Sequence, residues 1–156
     1  MKILVVCLGN ICRSPLAHGI FAHEISKQNL PWEIDSAGTG DYHVGKAPDP
    51  RSIQEAKSNG LDISKQGARQ LKTTDFHTYD HILVMDAMNY QNARSIAPTE
   101  QLREKVELIM NYADPGRNGQ VPDPYWDDNG FANVYNMLVR AVDGFIQQHT
   151  ESNESA

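Results

Sequence analysis

The stretch CLGNICRS, residues 7 to 14, holds the chain's only two thiols, Cys7 and Cys12, and closes on Arg13 and Ser14. It follows the apolar run KILVV (2 to 6) and precedes a helical pattern that starts near Pro15. A seven-residue loop, Leu8, Gly9, Asn10, Ile11, Cys12, Arg13 and Ser14, between a strand end and a helix N-terminus can turn successive backbone N–H groups toward one point, and the helix dipole adds positive potential there. Such a cradle binds an anion such as phosphate, and its donors also favour a thiolate at its floor. Cys7 is therefore the candidate nucleophile. The Arg13 guanidinium is a planar fork that matches two oxygens of a tetrahedral anion and can follow them as phosphorus flattens during transfer. Ser14 can donate its hydroxyl to the Cys7 sulfur. The residue types and spacing point to nucleophilic displacement on phosphorus, in preference to a packing thiol beside a surface charge.

A cysteine and arginine cradle contains no proton for a departing phenolic oxygen, so an acid must come from elsewhere. Asp123 in VPDPYW is the candidate, because flanking Pro122 and Pro124 restrict its backbone within the long polar stretch 111 to 130. Its plainer reading is a turn aspartate. Tyr125 and Trp126 follow directly and could wall a slot too deep for phosphoserine to bridge, although Trp126 could equally be a core residue.

These residues need a scaffold of strands and helices. KILVV suits a strand buried on both faces, and Ser14 and Pro15 fit an N-cap and first helical residue, with apolar spacing continuing to about Asn29. Further strands are expected at 32 to 38, 80 to 86 and 105 to 110, and helices at 49 to 60, 87 to 96 and 131 to 149. Strands alternating with helices imply parallel βαβ units, hence an α/β fold with an open four-stranded parallel sheet in three layers, helices on both faces. Residues 1 to 149 read as a single domain and 150 to 156 as a frayed polar tail.

At CLGNICRS the chain resembles the low-molecular-weight protein tyrosine phosphatases, whose motif is Cys, five residues, Arg, then Ser or Thr near the N-terminus. IDSAGTGDYHVGKAPDPR (34 to 51), VMD (84 to 86) and PDPY (122 to 125) resemble its other signatures in order. The resemblance implies a four-stranded parallel sheet, hydrolysis of aryl phosphates without metal or other cofactor, and a cysteinyl-phosphate intermediate. It implies Asp123 as general acid and then base, Asn10 as the residue holding a strained turn, and Tyr42, Tyr125 and Trp126 at the substrate rim. It also implies Cys12 as redox partner of Cys7, and Asp35, Ser36, Asp49 and Asp86 as braces, each of which could equally cap a strand or helix end.

The net charge of -6, without a dense basic cluster, argues against nucleic acid or acidic membranes as partners. No apolar run approaches a membrane span, and two close cysteines do not make a secreted disulfide framework, so a cytoplasmic location is expected. The expected partners are phosphotyrosine-containing proteins, with inorganic phosphate as product and the enzyme a monomer or weakly self-associating. The six histidines are assigned to the surface or to caps, with no metal site, and His43 also falls in the stretch that resembles a family signature. Three rivals remain: an arsenate reductase, which needs further cysteines downstream; a phosphoarginine phosphatase, whose relatives carry Thr in place of Ile11; and a phosphotyrosine-binding module, which need not keep Cys7, Arg13 and Asp123.

Overall fold

A computed structural model of the chain describes residues 1–154. Four strands, β1 (Lys2–Cys7), β2 (Glu33–Gly38), β3 (His81–Val84) and β4 (Val106–Leu108), form one parallel sheet in the order β2-β1-β3-β4. The helices are α1 (Arg13–Lys27), α2 (Pro50–Ser58), α3 (Asp75–Thr78), α4 (Ala87–Ile96), α5 (Glu100–Arg103) and α6 (Phe131–Glu154). The open parallel sheet with helices is the expected architecture.

β1 is an inner strand, and its apolar run serves two cores at once. Ile3, Val5 and Cys7 pack with Leu16 and Phe21 of α1 and Leu138 and Phe145 of α6. Leu4 and Val6 face the other way, against Phe76, Ile82 and Ala93. Strand alternation explains why a continuous apolar run was needed here. Because β2 pairs on one side of β1 and β3 on the other, the chain changes winding direction at β1, and the crevice of such a sheet opens beyond the carboxyl ends of its strands. Cys7, the last residue of β1, lies in register with Gly38.

Several boundaries differ from the sequence expectation. α1 begins at Arg13 with Cys12 as N-cap and no side-chain cap, so Ser14 is inside the first turn and its hydroxyl is released for other use. Pro15 is still within that turn, where a missing N–H forfeits no helical bond. The expected strand 105 to 110 is cut to three residues, because the chain tightens into a 3-10 turn at Ile109–Tyr112. α6 lies against that turn through Gly144, where an added Cβ would come within 1.9 Å of the Tyr112 carbonyl oxygen. The short helices α3 and α5 carry too few residues to show a period. α6 runs to Glu154, so 150 to 154 of the expected tail are helical, and 155 and 156 lie outside the described residues.

Candidate active site

The loop after β1 is tied down from behind. Its carbonyls at Cys7, Leu8 and Ile11 accept the N–H groups of Thr39, Gly40 and Asp49 at 2.9, 2.9 and 2.8 Å. Among the described residues, the N–H groups of residues 9 to 12 have no acceptor within the chain, as a loop poised to hold an anion requires. Gly38 permits this packing, since a Cβ there would meet the Leu8 oxygen at 2.7 Å. Asn10 turns the loop with φ of 57°, a region Asn tolerates better than most residues. Its side chain donates to Ser14 Oγ at 2.7 Å and accepts from the Arg69 N–H at 3.0 Å. With that lone pair occupied, the Ser14 hydroxyl is free to point at Cys7 Sγ, 3.1 Å away.

Arg13 is almost wholly buried, and its Nη1 donates to Asp86 Oδ2 at 2.6 Å and to the Val121 carbonyl at 3.0 Å. Burial works against the guanidinium charge, but Cys7, Asp86 and Asp123 outweigh it, so Arg13 holds its proton more tightly than an ordinary arginine. Asp86 also caps α4, accepting from the Asn89 N–H at 2.7 Å. Its two oxygens thus fix the arginine to the start of a helix. Asp123 caps a 3-10 turn at Pro124–Trp126 through the Tyr125 N–H, and its Oδ2 lies 3.8 Å from Arg13 Nη2.

These groups surround a cleft of about 340 Å³, bordered by Cys7, Leu8, Gly9, Ile11, Cys12, Arg13, Asp123 and the rings of Tyr42, His43, Tyr125 and Trp126. Of the expected site residues, Asn10 and Ser14 alone do not face it and are buried behind the loop. Trp126 is 87% exposed at the mouth, its ring edge-on to Tyr125, and Tyr42 stands 70% exposed, so neither is a core residue. Cys12 is a free thiol, as is Cys7. Its burial, then the charges of Asp49, Cys7 and Asp123, push it up to about 12, against a lowering bond from Ser52, so it stays protonated.

The other expected braces divide. Asp49 caps α2 and Asp35 pairs with Arg69, while Ser36 bonds His18 Nδ1 at 3.0 Å. Two histidines do more than sit at the surface or cap: His43 lines the cleft wall over Gly9, and His18 is half-buried, its titration lowered by burial against the pull of Asp35. His77 and His81 are four residues apart in the sequence, but one lies within α3 and the other begins β3, paired with Glu107. Among the described residues, no group of three His, Cys, Asp or Glu is placed to hold a metal ion. Sequence reading missed Arg69, Arg51 and the Val121 carbonyl, whose contacts span large separations and leave no local pattern.

The model of the family described as low molecular weight phosphotyrosine protein phosphatase matches residues 2–155. The low molecular weight phosphotyrosine protein phosphatase of Schizosaccharomyces pombe is 42% identical over 151 residues, covering 94% of this chain and 96% of that protein. A crystal structure of a protein tyrosine phosphatase from Entamoeba histolytica with Hepes in the active site superposes with a TM-score of 0.90 at 35% identity, over 98% of this chain and 99% of that one. A Drosophila arginine phosphatase superposes at 0.89 with 32% identity, over 96% and 98% of the two chains.

Proposed function

The chain belongs to the low molecular weight phosphotyrosine protein phosphatase family, metal-independent cysteine-based hydrolases that work through a cysteinyl phosphate, and we propose that Cys7, Arg13 and Asp123 carry that reaction here. The observation that carries this assignment is that a thiol, a buried guanidinium and a carboxylic acid from opposite ends of the chain border one cleft. Arg13 and the loop N–H groups take the phosphoryl oxygens, and Cys7 Sγ attacks phosphorus in line with the departing phenolic oxygen. Asp123 gives that oxygen its proton, then takes one from the water that splits the S–P bond. Ser14 stabilises the sulfur when it attacks and when it leaves.

Phosphotyrosine-containing proteins are the proposed substrates. The rings of Tyr42, Tyr125 and Trp126 offer a flat phenyl ring two sides of a slot, and His43 extends the wall. The similarity to an arginine phosphatase supports a second reading, phosphoarginine. Ile11 on the cleft wall argues for the phenolic ester, because a guanidinium set against it would leave N–H donors unpaired. Cys12 is the proposed redox partner: protonated, it does not compete for phosphate, yet it stands beside Cys7 to trap an oxidised sulfur as a disulfide. Two free thiols fit action in the reducing cytoplasm, and among the described residues no helix is long and apolar enough to cross a membrane.

The test compares phosphate release from phosphotyrosine and phosphoarginine peptides without added metal, for wild type and Cys7→Ser. Release from phosphotyrosine alone, abolished in the variant, is expected. A preference for phosphoarginine overturns the substrate class, and silence on both makes the cleft a binding module. Recovery of peroxide-treated enzyme by dithiothreitol checks the Cys12 role, and permanent inactivation refutes it.

A further inference from the structure

Asp123 sits in a stretch held mostly by its own bonds: the Asp127 N–H to the Pro124 carbonyl and the Asn129 N–H to Asp127 Oδ1, both at 3.0 Å. Among the described residues, the charged side chains that reach residues 122 to 129 from elsewhere are Arg13, 3.8 Å from Asp123, and Arg51 of α2. The Arg51 fork is fixed at its root, donating through Nε and Nη2 to the two oxygens of Asp49 at 3.0 and 2.9 Å. Its Nη1 then reaches Asp128 Oδ1 at 2.5 Å. The guanidinium carbon also lies 5.5 Å from the centroid of the Tyr125 ring, within the acid-bearing segment, and 4.7 Å from that of Phe131, just after it. Asp49 in turn donates its N–H to the Ile11 carbonyl. A continuous chain of contacts therefore runs from the phosphate loop through Asp49 and Arg51 to the loop that carries Asp123 and Tyr125.

We propose that Arg51 is a positioning residue that couples these two loops and holds the acid over Cys7; this rests on the assignment of Cys7 and Asp123 made above. Five donors in a rigid plane, plus two faces that stack on rings, suit Arg and not Lys. Asp128 is 82% exposed, so the pair adds little to folding stability, and its effect falls on where the loop stands. A misplaced acid slows the step in which a poor leaving group needs a proton and spares one that departs unaided.

The experiment measures kcat/KM with phenyl phosphate and with 4-nitrophenyl phosphate for wild type, Arg51→Gln, Arg51→Lys, Asp128→Asn and Asp123→Asn. Asp128→Asn cuts the bridge at an exposed position and leaves the α2 cap intact, so misfolding does not cloud it. Arg51→Gln and Asp128→Asn are expected to lose about tenfold on phenyl phosphate and at most about twofold on 4-nitrophenyl phosphate, with Lys failing to restore the difference. In the Asp123→Asn background the Arg51→Gln change should cost nothing further, since the acid it positions is gone. Equal losses on both substrates, no loss, or additive losses in the double variant overturn the positioning role. Absence of phosphate release by wild type, or its persistence in Cys7→Ser, instead sinks the catalytic assignment on which the role rests.

Discussion

Removing the Asp86 side chain should cost the protein about 3 kcal/mol. Its two oxygens do two separate jobs, capping α4 at 2.7 Å and pairing with a 3% exposed guanidinium at 2.6 Å. Losing an N-cap costs about 1 kcal/mol. Stripping a buried charge of its partner costs about 3 to 5 kcal/mol. That second figure must be discounted to about 2 kcal/mol here, because Asp86 is itself 22% exposed, and Arg13 keeps the Val121 carbonyl and Asp123 within 3.0 and 3.8 Å. Asp86→Asn should retain the cap and lose only the charge, at about 2 kcal/mol. Urea unfolding followed by tryptophan fluorescence measures both, since Trp32 is buried in the core while Trp126 is already in solvent. Because the same change frees the fork that should grip phosphate, kcat/KM for an aryl phosphate should fall on the order of 10²-fold in Asp86→Ala. Two results refute the reasoning: Asp86→Ala within about 1 kcal/mol of wild type, which the cap alone accounts for, or Asp86→Asn at no cost.

Asn10→Ala should destabilise by about 2 to 4 kcal/mol, combining a left-handed backbone that Ala resists with two lost hydrogen bonds, and Asn10→Gly should recover about 1 kcal/mol of it; equal urea midpoints for Ala and Gly would discount the backbone share. Burial of His18 lowers its titration below the ordinary 6.5 despite Asp35, so below that pH the unfolded chain binds a proton that the folded one refuses. Its neutral state costs nothing above 6.5, and stability drains as pH falls from there toward the lowered folded value. His18→Asn should flatten the acid-side slope by up to about 1.4 kcal/mol per pH unit, and an unchanged slope in urea titrations counts against a half-buried neutral imidazole. Tyr125→Ala should raise KM for a phosphotyrosine peptide about fivefold or more with a smaller change in kcat; an unchanged KM removes the ring as a wall of the slot.

Residues that act on near neighbours in sequence were readable from the amino-acid order. The run KILVV announced an inner strand because both of its faces must be apolar, and Cys7, Arg13 and Ser14 pointed to the proposed phosphate loop because a turn of seven residues can bring all three to one point. Asp49 and Asp86 stand one residue before helices that they cap, a relation that local hydrogen bonding enforces. The start of α1 could not be read so well: Ser14 had the look of a cap as well as of a donor to the Cys7 sulfur, and only the Asn10 amide, which occupies its oxygen, decides between the two. What closes the cleft was decided by tertiary structure. The strand order sets β3, and with it Asp86, beside the end of β1, and the bond from Arg13 to Val121 joins residues 108 apart. Arg51 and Arg69 likewise reach partners that no spacing or period foretells. Such contacts depend on which helices and strands pack together, a choice made by the burial of whole apolar faces, so a polar side chain that profits from the packing carries no mark of it in the sequence.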